Sequence, residues 1–303
     1  MGYSITSNYA GEHAGQYIGA ALRSAASLEY LTVLENVKFK RNITKVATEN
    51  LIKDATCDFT DAGTITLTER VLNPKELQIN VDLCKKDLLA DWQAAQMGSG
   101  AWSRDMSSDF AGFVVSHLSD TIADAIEDHI WTGTDGTTGE FTGFNHATAG
   151  LLQAGNDATV VQTANASAYT AATIVTNLVK LVASIPTAVY PKDDLYIYMG
   201  TVAYRFYLES QATLGYQQLY NMGDGFAPMY NGIKIAVCPG LPVDEMVAAQ
   251  KSNMFFGTDL MSDTTEVKML DMSELDGSDN VRVVCKFTAG VQHAQGGDIV
   301  LMD

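Results

Sequence analysis

Positive charge is what this sequence most conspicuously lacks. Its 303 residues carry 19 Lys and Arg against 36 Asp and Glu, a formal net charge of −17. The densest basic run is Lys38, Lys40 and Arg41, and it is short. Sequence-reading of DNA and tight phosphate binding both need a cationic footprint, so neither is expected. Long apolar runs are missing too, and no membrane partner is expected. Residues 1–30 have no basic start followed by a compact apolar stretch, so no secretory signal is read there and folding in a cytoplasm is expected. Cysteine is sparse: Cys57, Cys84, Cys238 and Cys285 stand far apart, without zinc spacing. Reduced, mostly buried thiols are expected. There is no Gly-x-Ser-x-Gly elbow and no His-Glu-x-x-His pair. The site expectation is therefore negative: no catalytic, cofactor-binding or metal-binding residues, and no enzyme.

What is present is a long amphipathic helix. Phe110, Phe113, Val114, Leu118, Ile122, Ala125, Ile126 and Ile130 keep the i, i+3, i+4 rhythm that gives a helix one buried stripe. Ser107 or Ser108 can cap its start, and Gly133 can end it. About two dozen residues at 1.5 Å each span about 35 Å, enough for a structural spine. His117, Asp120, Asp124 and Asp128 recur along it, near i, i+4 spacing. A metal-dependent enzyme could build a site from them. A solvated helix face accounts for the same spacing. The glycine-rich run Gly133–Gly143 is no phosphate loop: it follows a helix and lacks a Gly-Lys-Ser/Thr ending.

The rest of the chain is α+β in pattern. Residues 1–35 read as an arm, poor in large aliphatics and weakly helical from Gly15 to Leu34. Residues 36–84 read as an extended β-hairpin. Asn42–Val46 and Thr64–Leu72 alternate apolar and polar residues, with turn chemistry at Asp58–Gly63 and a further strand at Glu76–Leu83. An isolated hairpin is marginal in water, so a long one points to a partner. Lys85–Gln96 reads as a short helix. Ser167–Ile185 reads as an amphipathic helix ended by Pro186. Strands are expected at Leu195–Met199, Ile233–Cys238, Met246–Ala249, Met254–Phe256, Glu266–Leu270, Val281–Phe287 and Ile299–Met302, with a helix from Thr201. Aromatics cluster from Tyr204 to Tyr230, where interface and core readings stand level.

This order of arm, β-excursion, spine helix, glycine turn and mixed α/β region resembles the Hong Kong 97-like fold, the major capsid protein of tailed double-stranded DNA phages. Four runs carry the likeness: Glu127–Gly133 with Asp135–Gly139 and Phe141–Phe144, Leu195–Met199, Ile233–Val237 with Leu241 and Pro242, and Asn253–Leu260 with Asp263. The resemblance implies an N-terminal arm (1–35) and an extended hairpin (36–84). It implies a peripheral domain (85–190 and 254–290) with the spine helix at 108–132, and an axial domain (191–253 and 291–303). It further implies a subunit that assembles with itself into pentamers and hexamers. These would form an icosahedral virion shell in the host bacterial cytoplasm, enclosing double-stranded DNA without reading it. No long charged coiled segment precedes residue 36, so a separate scaffolding protein is expected, with a portal and decoration proteins as further partners. Some relatives join subunits through a Lys–Asn isopeptide bond; Lys53 and Asn280 are the residues here that could form one. An encapsulin-type cellular compartment shares the fold and is the alternative.

Overall fold

A computed structural model describes residues 26–49, 52–55, 57, 63–84, 108–213, 228–259, 267–272 and 277–303. The expected helix at Lys85–Gln96, the hairpin tip at 58–62 and most of the N-terminal arm lie outside these residues. In chain order the elements are β1 (Thr32–Leu34), β2 (Arg41–Glu49), β3 (Thr64–Leu72), β4 (Lys75–Cys84), α1 (Ser108–Thr132), β5 (Val161–Thr163), α2 (Ile174–Ser184), β6 (Leu195–Met199), α3 (Thr201–Thr213), β7 (Met229–Tyr230), β8 (Ile233–Val237), β9 (Met246–Gln250), β10 (Met254–Gly257), β11 (Val267–Asp271), β12 (Asn280–His293) and β13 (Val300–Met302). The chain falls into two compact units. The larger runs over 26–75, 127–259 and 289–303; the smaller holds the described parts of 76–126 and 260–288.

The larger unit is organised by a six-stranded sheet in the order β5-β13-β9-β6-β8-β7. The central strand β6 reads Leu-Tyr-Ile-Tyr-Met and shows no exposed residue. It lies between a parallel neighbour, β8, and an antiparallel one, β9. A strand covered on both faces favours a continuous apolar run over alternation. Helix α2 packs Ile174, Leu178 and Leu181 into the same core as Ile197, Met199, Ala248, Val300 and Met302. Pro186 lies just beyond its end, where a proline cannot continue a helix.

Two expectations change here. The helix expected from Ser167 begins only at Ile174. Side chains hold the preceding turn instead. Asn177 accepts from the Ala166 amide and donates to the Ser167 carbonyl, and Asp244 accepts from the Tyr169 amide. Such side-chain bonds compete with the helical ladder. The weak helical signal reaching Leu34 gives way to a 3-10 turn at Ala26–Tyr30 and then strand β1, which pairs in parallel with β10. Leu31 is fully buried there, and the Tyr30 ring packs at a tilt against Tyr196, 5.5 Å between centroids.

In the smaller unit β11 pairs antiparallel with β12, Val267 opposite Cys285 through Asp271 opposite Val281. Helix α1 brings Ile122 and Ile126 out of solvent, as its apolar stripe requires.

Candidate assembly surface

Strands β2 and β3 form a two-stranded ribbon of their own, nine residue pairs long, from Arg41 opposite Leu72 to Glu49 opposite Thr64. Alternation sorts the side chains of a strand onto two faces. Val46, Ile65, Leu67 and Val71 fall on one face, with Val46 directly opposite Leu67; Glu69, which accepts from Asn42 at 2.9 Å, interrupts the row between Leu67 and Val71. Val46, Ile65 and Leu67 are 60%, 61% and 66% exposed, and Ile52 beyond them is 97% exposed. Ile43, Lys45, Thr68 and Arg70 fall on the other face. Scattered apolar residues on a surface mean little. A row of them on one face of a bare ribbon marks a surface built for cover.

At its base the ribbon is held through β3. The Arg70 guanidinium pairs with Asp157 through Nη2 and donates from Nε to the Ala294 carbonyl at 3.1 Å. The other side of Asp157 receives the Thr159 amide at 3.0 Å and its hydroxyl at 2.7 Å. His293 Nε2 lies 2.8 Å from the carboxylate oxygen that Arg70 uses. Asp157 and His293 are both buried. Burial would raise the Asp157 carboxyl, but bonds from His293 and Thr159 and the charge of Arg70 carry it down to about 2. Burial holds the His293 imidazole below its usual range. Gln292 adds a bond to the Val71 carbonyl at 3.0 Å, and Leu72 is fully buried. Gly296 backs directly on Asp157, where a Cβ would collide with the carboxylate.

A second buried carboxylate, Glu127, lies in the last two turns of α1. Glu127 accepts from the Ser27 amide at 2.9 Å, the Ser27 hydroxyl at 2.6 Å and the Gly240 amide at 3.2 Å. The Trp131 indole donates to the same Ser27 hydroxyl at 2.7 Å. Burial pushes the Glu127 carboxyl up, and the three donors pull against it. The carboxylate ties together segments about a hundred residues apart.

The glycine-rich turn caps the end of α1. The chain doubles back so that Gly143, Phe144 and Asn145 donate to the carbonyls of Gly133, Ile130 and Trp131 at 2.9, 2.8 and 2.7 Å. The last two are carbonyls that a helix end otherwise leaves without partners. Lys75 Nζ pairs with Asp135 in the same turn at 2.8 Å.

Asp120 is exposed, and His117, Asp124 and Asp128 are half-buried. Among the described residues no three His, Cys, Asp or Glu side chains gather to hold a metal ion. Cys238 is buried, and burial raises its thiol strongly. Cys57 is exposed and Cys84 half-buried, against the expectation of mostly buried thiols. Lys53 is exposed and Asn280 half-buried. No described helix is long and apolar enough to cross a membrane.

The whole chain can be compared with solved structures. It superposes on a chain of the capsid of the native GTA particle with a TM-score of 0.59, covering 99% of each chain at 15% identity. It matches a structure of mycobacterium phage Adephagia at a TM-score of 0.58 and 14% identity, covering 100% of this chain and 94% of that one. The capsid of myoviridae phage XM1 gives 0.54 and 12%, with 99% and 94% covered. This chain has the fold of a phage capsid protein. At such identities the capsid fold is carried by architecture and not by sequence, and no family model or curated protein matches the sequence.

Proposed function

We propose that this chain is the structural subunit of a phage capsid shell, with no catalytic role. The observation that carries the reading is the end-to-end match to capsid chains, 99% of both lengths in the GTA capsid. The exposed apolar row on β2 and β3 supports it, because a ribbon of that length has little of its own to pack against. On this reading residues 1–35 are the arm and 36–84 the extended hairpin. The peripheral domain is 85–190 with 254–290, and the axial domain is 191–253 with 291–303. Copies meet head to tail, rings of five and six close, and the rings close into an icosahedral shell around double-stranded DNA. Each contact can be weak because many form together. The net charge of −17 suits a container that must not grip its contents. A separate scaffolding protein, a portal and decoration proteins are the partners proposed, and the host cytoplasm is the proposed place of assembly.

Electron microscopy of the purified chain, alone and co-expressed with a scaffolding protein from the same genome, tests this. Closed shells or rings of five and six subunits are expected. A monomer that forms no higher species under either condition overturns the reading.

A further inference from the structure

The ribbon's two strands are held at their bases in different ways. The incoming strand is tied by main-chain bonds as far as Val37, whose amide donates to the Thr258 carbonyl at 3.1 Å, and residues 38–40 are then exposed. The outgoing strand is bolted by side chains: Arg70 to Asp157 and Ala294, the Val71 carbonyl to Gln292, and Leu72 into the core. Arg70 lies on the ribbon face opposite the apolar row, so a guanidinium fixed at its fork fixes where that row points. Asp157 is itself fixed by two bonds from Thr159, with His293 against its other oxygen.

We infer that Arg70, Asp157 and His293 form a positioning site that sets the direction in which the hairpin leaves the body. The inference rests on the reading of the hairpin as the arm that reaches a neighbouring copy. Arg70 is the moving half of the joint and Asp157 the fixed half. Arg70→Gln removes the fork and its charge. Asp157→Asn keeps the shape and the Thr159 bonds, and His293 can adjust by changing which nitrogen carries its proton. What Asp157→Asn removes is the charge that Arg70 meets. Arg70→Lys keeps a charge but cannot reach Asp157 and the Ala294 carbonyl together.

The test is a pulsed electron spin measurement on full-length, unassembled subunits. One spin label sits on exposed Cys57 and another on Cys introduced at exposed Lys192, with Cys84 and Cys285 changed to Ser. The parent chain should give one narrow distance distribution. Arg70→Gln and Asp157→Asn should broaden it at least twofold, and Arg70→Lys should fall between. A width in Arg70→Gln equal to the parent's overturns the positioning site. If the variants fail to fold, hydrogen exchange on the parent chain decides. Amides of Arg70–Leu72 exchanging at least tenfold more slowly than those of Thr64–Leu67 support the mount, and equal rates overturn it. A broadened distribution with normal shell yield keeps the positioning site and overturns the hairpin's role as the assembly arm.

Discussion

Two carboxylates in the larger unit titrate in opposite directions. Burial, with the charge of Asp303 next, pushes the Glu245 carboxyl up to about 7, while Asn145 donates to it. Its ordinary value in the unfolded chain is 4.5. Between these values the folded state holds a proton that the unfolded state has released, so stability falls as pH rises from about 4.5 to about 7. The loss is at most on the order of 3 kcal/mol at 1.36 kcal/mol per unit, and less where solvent screens this half-buried group. Asp157 works the other way. Its contribution is present above about 3.8 and is lost as pH falls toward about 2. Thermal melts of the parent and Glu245→Gln from pH 5 to 8 check this. The parent's melting temperature should fall relative to the variant as pH rises, and parallel curves would contradict it. The sequence shows little at this scale. The spacing of Glu127 and Trp131, one helical turn apart, is the one legible hint that Glu127 is buried, since Trp131 sits on the apolar stripe. Amphipathic reading assigns every carboxylate of the helix to solvent, because it counts charges and cannot see donors arriving from Ser27 and Gly240. Asp157 and Arg70 carry no pattern at all; 87 positions separate them and only the fold brings them together.

At the scale of elements, periodicity was the reliable guide. Helix α1 spans Ser108–Thr132, where the apolar rhythm and Gly133 bound it, and the strand alternation of 41–49 and 64–72 becomes β2 and β3. Expectations failed where side chains outbid the pattern, as Asn177 does in delaying α2. They also failed where a neighbour extends a strand: β12 runs to His293, six residues past the expected Phe287, because β10 pairs with its second half. The helix end offers a sharp check. A Cβ at Gly143 would lie 2.5 Å from the His129 carbonyl and 2.8 Å from that of Trp131, both backbone atoms that cannot swing aside. Gly143→Ala must therefore lift the returning segment off the helix, at about 1–3 kcal/mol, the usual range for overpacking. Gly136 in the same turn has its nearest atom, Thr134 Oγ1, at 3.7 Å. Gly136→Ala should melt within about a degree of the parent, and Gly143→Ala several degrees lower. Equal melting temperatures would show that the return does not cap the helix.

At the scale of the whole molecule, the legible part was the order of elements, which is what a capsid fold conserves when identity has dropped to 15%. The division into a bare ribbon and a buried six-stranded sheet predicts how assembly and folding separate. Leu67→Asp puts a charge in the centre of the exposed row, where the free subunit loses little because the side chain is already mostly in water. Its melting temperature should match the parent's to within about two degrees. Shell yield, read by sedimentation, should drop at least tenfold, since the cost is repeated at every contact. Thr68→Asp on the opposite face should assemble better than Leu67→Asp. Equal yields from the two would show that the apolar row is not the face in use.

The sheet order β5-β13-β9-β6-β8-β7 also carries a timetable. Strand β13, residues 300–302, lies between β5 and β9, and all three of its residues are wholly buried. Until that strand arrives, β9 has an open edge and the core around Ala248 and Leu178 has a missing wall. At about 5–20 residues per second, a ribosome needs roughly 10–45 s to pass from the end of the ribbon to that strand. The ribbon's apolar row leaves the ribosome well before the body that would aim it. A chain still being made therefore carries the exposed row before residues 300–302 complete the six-stranded sheet.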